Sequence, residues 1–249
     1  MRLYTIGEVA VQDSYVGDIG DYGKYGLLRE VTATGLTLSV NWYKVVPDKS
    51  GKQDDGKYTN YLLAPQLYRA YDTSLFEALY QIVCIEHDRR IERIESANLF
   101  PASFFSNALD ADRRKWHCIA LQQTEGSDVV FLDPDNCLET RNMNRSGNAT
   151  EKHVKWSELK DYYARGQNVI LYQHRPQMTT KIQCIENVME FQREYLQADC
   201  VMLLEFPKYT NRFYFMFLHE KYKPIFRKIC TSMASKWSQN EFCREIVLE

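Results

Sequence analysis

The chain has 249 residues, of which 45% are hydrophobic and 26% charged, and its formal net charge at pH 7 is −2. These values are ordinary for a globular protein, and the small net charge excludes a general attraction to nucleic acid or membrane, so such a partner would need a local patch. The seven cysteines are scattered and form no C-x-x-C pair, which argues against a disulfide framework and a zinc ribbon.

The N-terminus shows no charged-then-apolar leader, and no run of about 18 apolar residues occurs anywhere in the sequence. We therefore expect a cytoplasmic protein that does not enter a membrane. The sequence contains no internal repeat, no low-complexity tract and no clear linker, so a single domain spanning residues 1–249 is expected. The oligomeric state is left open.

The first predicted element is a glycine-rich helix in "YVGDIGDYGKYGLLREV", expected to continue through Leu27, Leu28 and Val31. The run "LTLSVNWYKVV" is rich in β-branched and aromatic residues, which is typical of a strand. The polar loop "PDKSGKQDDGK" follows it and contains Asp54 and Asp55. An acidic loop that follows a buried strand is a candidate functional segment.

The middle of the chain is predicted to alternate between helices and strands. Asp72 is expected to begin a helix in which Ser74 and Glu77 have the spacing of a capping box. The further elements expected here are helices over 91–99 and 110–121, a strand over 129–132, a helix from Ser157 to Gly166, the strand "NVILYQH", and a long helix with Pro176 as its first residue.

The last two predicted strands are "CVMLLEF" and "RFYFMFLH", which are separated only by "PKYTN". A connection this short requires an antiparallel hairpin. The earlier alternation of strands and helices predicts a mostly parallel sheet with helices on both faces. We therefore expect a Rossmann-like α/β domain with a C-terminal antiparallel hairpin.

Several polar residues follow the predicted strands directly. In a parallel sheet, ligands bind beyond the carboxyl ends of the strands, and these ends meet at one edge. The segment "DVVFLDPDNCLE" places two acids and an amide after a buried strand, and "YQHR" places a histidine after the next. The residues expected to meet at this edge are Asp133, Asp135, Asn136 and His174, with Asp54 and Asp55 from the earlier loop. The first four are the catalytic candidates.

The segment "GDIGDYGKYG" invites comparison with a phosphate-binding loop. A Walker A motif requires four residues between its first glycine and Gly-Lys, followed by Ser or Thr. Gly17 is one residue too far from Gly23, and Tyr25 occupies the hydroxyl position, so the motif is absent. Four glycines at a spacing of three still give one helix face almost no side chains. The backbone of that face can then approach a ligand or a neighbouring element closely.

Two carboxylates two residues apart also allow a metal-dependent reaction. Asp133 and Asp135, with His174 or Asp55, offer the hard oxygen ligands that Mg²⁺ prefers, as in a magnesium-dependent nuclease or phosphoesterase. A nuclease-like pattern can be drawn from Asp135 to Glu158-x-Lys160, but Glu158 is expected in the first turn of a helix, where it would stabilise the helix end.

The blocks "GDIGDYGKYGLL", "FLDPDNCLE" and "YQHR" resemble those of an uncharacterised bacterial protein family. More distantly, they resemble the bacterial methyltransferase family that modifies adenine N6 in large-subunit ribosomal RNA. Its G-N-x-x-D-x-x-K-H block is similar to Gly17-Asp18, Asp21 and Lys24-Tyr25. Its D-P-P-Y block falls on residues 133–136, and its W-Y-P strand end on residues 172–174.

This resemblance implies a sheet with a late antiparallel hairpin, S-adenosylmethionine as the cofactor, and a nucleic acid or nucleotide as the partner. In the amino-methylating families, the first D-P-P-Y residue accepts a hydrogen bond from the target amine, and the aromatic residue stacks on the flipped base. Asp133 would therefore accept the amine. The residues that the resemblance assigns to the cofactor are Gly17, Asp18, Asp21 and Lys24.

The sequence departs from the family pattern at two places. Asp135-Asn136 replaces Pro-Tyr, so the stacking residue is missing, and the loop after the first strand has no G-x-G. Three hypotheses therefore remain open. The first is a methyltransferase-related enzyme, intact or degenerate, that acts on nucleic acid or nucleotide. The second is a magnesium-dependent nuclease or phosphoesterase using Asp133 and Asp135, and the third is a non-catalytic partner-binding protein.

Overall fold

The computed structural model describes residues 13, 15–45, 57–147, 150, 152–176 and 178–248, so Asp54 and Asp55 lie outside the described residues. The strands are β1 (Leu38–Asn41), β2 (Ser103–Phe105), β3 (Val129–Leu132), β4 (Asn168–His174), β5 (Cys200–Phe206), β6 (Arg212–Leu218) and β7 (Arg244–Ile246). The helices are α1 (Ile19–Ala33), α2 (Pro65–Tyr68), α3 (Thr73–Tyr80), α4 (Ile91–Ser96), α5 (Arg113–Gln123), α6 (Arg141–Ser146), α7 (Trp156–Ala164), α8 (Lys181–Phe191) and α9 (Lys223–Lys236). Within this described part, no helix combines the length and apolar character needed to cross a bilayer.

All seven described strands form one sheet with the order β2-β1-β3-β4-β6-β5-β7. The strands β2, β1, β3 and β4 are parallel, whereas β4–β6, β6–β5 and β5–β7 are antiparallel pairs. The predicted α/β alternation and the C-terminal hairpin are confirmed. The sheet is parallel only in its first half, because the hairpin inserts β6 between β4 and β5 and β7 adds a further antiparallel edge.

Helices cover both faces of the sheet. Alternate residues of a strand point to opposite faces, so Phe131 and Met216 belong to a core shared with α1, α3 and α9. Val130 and Phe215 belong to a second core shared with α5, α7 and α8. Burial on both faces explains why β3 and β6 are almost entirely apolar in sequence.

The start of α3 differs in detail from the prediction. The carboxylate of Asp72 accepts the backbone N–H of Leu75 at 3.0 Å, so Asp72 itself is the N-cap. The hydroxyl of Ser74 donates to the same carboxylate at 3.1 Å. The predicted capping box of Ser74 and Glu77 is therefore wrong, because an aspartate two residues earlier satisfies the first free N–H groups of the helix.

The predicted start of a long helix at Pro176 is also wrong. Helix α8 begins at Lys181, where the hydroxyl of Thr180 accepts the N–H of Gln183 and the Gln183 side chain accepts the N–H of Thr180. This capping box fixes the helix start. The carbonyl of Pro176 instead accepts the N–H of Thr179 at 3.0 Å and so belongs to a turn between strand and helix.

The glycine face of α1 packs against the C-terminal half of the chain. A Cβ atom would lie 2.3 Å from Arg212 Nε at Gly20, 2.6 Å from Phe206 Cδ1 at Gly23 and 2.3 Å from Trp237 Cζ2 at Gly26. Real Cβ atoms do not approach other atoms this closely. Of the two functions left open for the glycine stripe, close packing therefore accounts for these three positions.

Candidate functional site

The carboxyl ends of β1, β3 and β4 lie at one edge of the sheet, and β6 begins at the same edge. In the strand register, Asn41 pairs with Leu132, and His174 pairs with Arg212. Asp133 follows Leu132 directly, and its N–H donates to the carbonyl of Asn41 at 3.0 Å. Asp133, His174 and Arg212 are therefore brought to the same edge from three neighbouring strands.

A tight turn places the start of α1 beside this edge. The N–H of Asp18 donates to the carbonyl of Tyr15, and Gly17 has a φ of 73°, which glycine adopts without strain. Asp18 then caps the helix, because its carboxylate accepts the N–H of Asp21 at 2.8 Å. Both backbone groups of Gly17 are bonded within the protein, its N–H to Asp21 and its carbonyl to the Tyr61 hydroxyl.

The polar face of α1 holds a buried ion pair with β3. Asp21, Lys24 and Tyr25 lie on one helix face because they are three and four residues apart. Lys24 Nζ lies 2.8 Å from Asp21 Oδ1 and 2.7 Å from Asp133 Oδ2, and the Tyr25 hydroxyl donates to Asp21 Oδ2 at 2.8 Å. This ion pair joins two sequence blocks that are 109 residues apart.

Aromatic rings surround the lysine. Lys24 Nζ lies 5.8 Å from the ring centroids of Tyr25 and Trp42 and 5.6 Å from that of Tyr172. A cation at this distance is attracted by the ring faces, most strongly where water is excluded. The rings therefore favour the charged form of Lys24 and shield its ion pairs from solvent.

Five charged side chains form what we call the buried ionic cluster: Asp18, Asp21, Lys24, Asp133 and Arg212. Their exposed fractions are 4%, 4%, 8%, 5% and 7%, respectively. Arg212 is only loosely paired, because its Nη2 lies 3.5 Å from Asp18 Oδ2. The cluster contains three carboxylates and two cations, so one negative charge has no matching cation within it. A proton or a cationic ligand would relieve this imbalance.

The pKa values in the cluster reflect burial and pairing. Burial raises the pKa of Asp133 to about 6, and the charge of Lys24 opposes that rise. Burial also raises the pKa of Asp18, against the influence of Arg212. For Lys24, burial favours the neutral amine, but Asp133 and Asp21 outweigh it and hold the pKa well above its usual range. Lys24 therefore remains a cation at neutral pH.

Asp135 and Asn136 are placed differently from Asp133. The carboxylate of Asp135 pairs with Lys152 at 2.7 Å, while Asn136 donates its N–H to the Lys152 carbonyl and accepts that of His174. Asp133 and Asp135 thus bind two different lysines instead of one shared ligand. Among the residues that the structure describes, no group of three or more His, Cys, Asp or Glu side chains could hold a metal ion.

His174 lies at the edge without a side-chain hydrogen bond to any described residue. Burial lowers the pKa of its imidazole, and the nearby charge of Arg212 lowers it further. The ring is therefore neutral at pH 7. A neutral imidazole can accept a proton from a group bound at the same edge.

Glu158 has the structural role expected of it. Its carboxylate accepts the N–H of Lys155 at 3.1 Å in the first turn of α7 and pairs with Arg113 at 2.6 Å. Glu158 is the second carboxylate of the nuclease-like pattern from Asp135 to Lys160. It is already engaged in a helix cap and a buried ion pair, so it does not act as a metal ligand of that pattern.

The sequence did not reveal three residues of the site. Arg212 belongs to the buried ionic cluster, the Trp42 ring contacts Lys24 within it, and the hydroxyl of Tyr214 is buried among described residues without a hydrogen-bond partner. Arg212 carried the only usable signal, since an arginine opens the otherwise apolar strand "RFYFMFL". Trp42 and Tyr214 look like core residues in sequence, and only tertiary packing distinguishes them.

Comparisons with known proteins relate the chain to other proteins through its fold. No family model and no curated protein matches it. Among the solved structures that match is the crystal structure of protein LPL1258 from Legionella pneumophila (strain Philadelphia 1), which carries the family model DUF519. The two chains have a TM-score of 0.50 and 12% sequence identity, over 93% of this chain and 96% of the other. The fold is shared. At this identity the likeness carries no information on activity.

Proposed function

We propose that this protein is a methyltransferase-related enzyme with a Rossmann-like sheet, which binds S-adenosylmethionine at the carboxyl edge of the sheet. Its substrate would be an amine of a nucleotide or a nucleic-acid base. The observation that carries this proposal is the Lys24–Asp133 pair. It joins, at 2.7 Å, the two blocks whose order resembles that of the adenine-N6 methyltransferases. The β5–β6 hairpin supports the same proposal, because such a hairpin is expected in these sheets.

The charges of the buried ionic cluster are complementary to those of this cofactor. S-adenosylmethionine carries a sulfonium and an α-ammonium group together with one carboxylate, and when bound it supplies the methyl group. The cluster has one carboxylate in excess, and Asp18 is paired only at 3.5 Å with Arg212. Asp18 could therefore accept a cationic group of the cofactor, and the guanidinium of Arg212 could bind its carboxylate. Asp21 meanwhile keeps its bonds to Lys24 and Tyr25 and orients the helix start.

Asp133 can accept a second partner while it is paired. Lys24 binds Oδ2, whereas Oδ1 accepts no hydrogen bond from any described residue. An amine N–H that donates to Oδ1 would be held in position beside the cofactor site, and the carboxylate would increase the electron density on its nitrogen. Lys24 would keep the carboxylate ionised and oriented, and the neutral imidazole of His174 could accept the proton that the amine releases.

Isothermal titration calorimetry with S-adenosylmethionine tests the cofactor, and transfer of a radiolabelled methyl group to mixed RNA and DNA tests the reaction. We expect wild type to bind the cofactor and transfer the label. Asp18→Asn should weaken cofactor binding, because it removes a carboxylate from the cluster. Asp133→Asn should keep cofactor binding and lose transfer by about 100-fold or more, since an amide is a weaker acceptor than a carboxylate.

Asp135→Asn is the matched control, because Asp135 is a neighbouring carboxylate that does not contact Lys24. It should retain both cofactor binding and methyl transfer. Absence of any heat on titration of the folded wild-type protein with S-adenosylmethionine would refute the proposal. A parallel titration with Mg²⁺ and an assay for phosphodiester cleavage test the magnesium-dependent nuclease or phosphoesterase directly.

A further inference from the structure

The tetrapeptide Lys-Tyr-Thr-Asn occurs twice in the chain, at 57–60 and at 208–211. The first copy ends at Asn60, the first residue of the 3₁₀-helix Asn60–Leu63, and the second connects β5 to β6. Both copies make the same backbone bond, from the threonine N–H to the lysine carbonyl, at 2.9 Å in the first and 2.8 Å in the second. The fold thus brings two like turns together from positions about 150 residues apart.

The two tyrosines stack on each other. The ring centroids of Tyr58 and Tyr209 are 4.7 Å apart and the rings are inclined by 2°. Tyr209 remains 56% exposed, so Tyr58 covers one ring face while more than half of the residue still meets solvent, and its hydroxyl interacts with Tyr68. We call this pair the tyrosine platform. Lys57 Nζ lies 5.9 Å from the ring centroid of Tyr58, and Lys208 Nζ lies 5.7 Å from that of Tyr209.

The backbone at this place is held in an unfavourable conformation. Tyr209 has a φ of 62°, which is uncommon for a residue other than glycine, asparagine or aspartate. The hydroxyl of the next residue, Thr210, is buried without a hydrogen-bond partner among the described residues. The ring of Tyr209 is more than half exposed although it is carried by this strained backbone. Its placement is better explained by a surface contact.

The platform adjoins the buried ionic cluster. The carbonyl of Lys208 accepts Arg212 Nη1 at 3.1 Å, and Arg212 reaches Asp18. The carbonyl of Tyr58 accepts the N–H of Ile19 at 3.1 Å, one residue beyond Asp18. The rings therefore lie at the edge where Asp133 follows β3. This is also where Asn136 replaces the aromatic residue expected for base stacking.

We infer that the tyrosine platform stacks an unpaired base of single-stranded nucleic acid, with Lys57 and Lys208 near the adjoining phosphates. This inference rests on the proposed function and names its substrate class. Bases have a π-face that stacks on aromatic rings, and lysines contribute affinity through the phosphates. No carboxylate among the described residues pairs with Lys208, so its charge is available to an anionic partner. Bases in a duplex cannot reach the platform without being unstacked.

Fluorescence anisotropy with a labelled single-stranded RNA of about 12 nucleotides tests this inference, because one binding module covers a few to some sixteen nucleotides. Tyr209→Ala should weaken binding by about 5-fold to 100-fold, and Tyr209→Phe should retain it, since the ring rather than the hydroxyl stacks. Tyr209→Gly removes the ring while relieving the positive φ. It should therefore weaken binding equally without a loss of melting temperature.

Lys221 and Tyr222 provide a matched control. They form a similar pair, with Lys221 Nζ at 4.8 Å from the Tyr222 ring centroid, but the Tyr222 hydroxyl bonds to Asp128 at the amino end of β3. Tyr222→Ala and Lys221→Ala should leave RNA affinity unchanged. Lys208→Ala should lower the slope of log Kd against log salt concentration by about 0.7, as expected for one phosphate contact on a single strand.

The result that would overturn the inference is equal RNA affinity of wild type and Tyr209→Gly, or tighter binding of wild type to the duplex of the same sequence. If the tyrosine platform stacks against a protein partner instead, wild type and Tyr209→Gly should bind RNA with equal affinity. Calorimetry with S-adenosylmethionine separates the two proposals. If wild type binds the cofactor but Tyr209→Gly binds RNA as tightly as wild type, only the tyrosine platform is refuted. If Tyr209→Gly loses RNA binding but wild type does not bind the cofactor, only the proposed function is refuted.

Discussion

Lys24 Nζ lies 2.7 Å from Asp133 Oδ2, and both side chains are less than one-tenth exposed. A buried pair costs most when one partner is removed, because the remaining charge is left uncompensated. Lys24→Met leaves two carboxylates, Asp21 and Asp133, without their shared cation. We expect this change to lower the free energy of unfolding by about 3–5 kcal/mol, as measured by urea denaturation.

Asp133→Asn should cost less than Lys24→Met, because Lys24 would keep its contact with Asp21 at 2.8 Å. The double variant Lys24→Met/Asp133→Leu should recover part of the loss, since apolar residues of similar size can replace a buried pair. A double-mutant cycle should therefore give a coupling energy of about 1–3 kcal/mol. If the two single changes each cost under 1 kcal/mol and add without coupling, the pair does not hold α1 to β3.

The pH dependence of stability provides a second prediction. The pKa of Asp133 is about 6 in the folded protein, above the ordinary value of 3.8. Between these values Asp133 holds more protons in the folded state than in the unfolded state, so its contribution to the free energy of unfolding falls as pH rises from about 4 to about 6. Relative to Asp133→Asn, wild type should lose about 3 kcal/mol over this range, two pKa units at 1.36 kcal/mol each.

The proposed reaction should respond to pH in the opposite direction. Only the ionised carboxylate is a strong acceptor for an amine, so methyl transfer should rise as pH increases through about 6. Urea denaturation and initial rates measured over the same pH series would reveal both trends. A stability difference between wild type and Asp133→Asn that does not change over this range would contradict the assignment of the raised pKa to Asp133.

The parts of the fold that the sequence predicted are those with strong local patterns. Buried strands such as Val129–Leu132 are continuous apolar runs, and the short "PKYTN" link allows only a hairpin. Strands Ser103–Phe105 and Arg244–Ile246 were missed because each has three residues and a partly exposed pattern. Such short strands form because a neighbouring strand provides backbone hydrogen bonds. The local sequence contains no pattern that indicates this pairing.

The candidate site was only partly accessible to the same reasoning. The position of Asp133 after a buried strand was enough to predict its place at the edge of the sheet. Its partner Lys24 entered only through a resemblance, because the 109 intervening residues erase any periodic signal. Tyr209 was read as part of a turn. Its stacking on Tyr58 depends on how the hairpin meets the segment that leads into the 3₁₀-helix Asn60–Leu63, which is a tertiary property.

The packing of α1 leads to a third prediction. In an open helix position, Gly→Ala stabilises by about 1 kcal/mol. At Gly26 the new Cβ would lie 2.3 Å from Trp237 Cζ2, so overpacking should outweigh this gain. We expect Gly26→Ala to lower the free energy of unfolding by about 1–3 kcal/mol. Chemical denaturation of Gly26→Ala, Trp237→Phe and the double variant should show that the smaller ring relieves part of the strain. A stabilised Gly26→Ala protein would contradict this packing.

The last prediction contrasts Asp135 with Asp133. Asp135, whose side chain is 9% exposed, pairs with Lys152, whose side chain is 41% exposed, whereas both partners of the Asp133–Lys24 pair are at most 10% exposed. Because the lysine end of this pair is open to solvent, the pair contributes about 1 kcal/mol at most, so Asp135→Asn should change the melting temperature less than Asp133→Ala and should leave cofactor binding intact. Asp133→Ala should lower the melting temperature clearly, because it leaves the charge of Lys24 only half compensated.

The same two variants separate the enzymatic hypotheses. A magnesium-dependent enzyme that uses both carboxylates would lose metal binding and cleavage in Asp135→Asn as completely as in Asp133→Ala. A methyltransferase-related enzyme would lose transfer only in Asp133→Ala, since Oδ1 of Asp133 is the acceptor left open beside Lys24. Differential scanning fluorimetry, magnesium titration and methyl transfer on the two purified variants measure all of these effects. Equal behaviour of Asp133→Ala and wild type in every assay would mean that the acids after β3 only shape a turn.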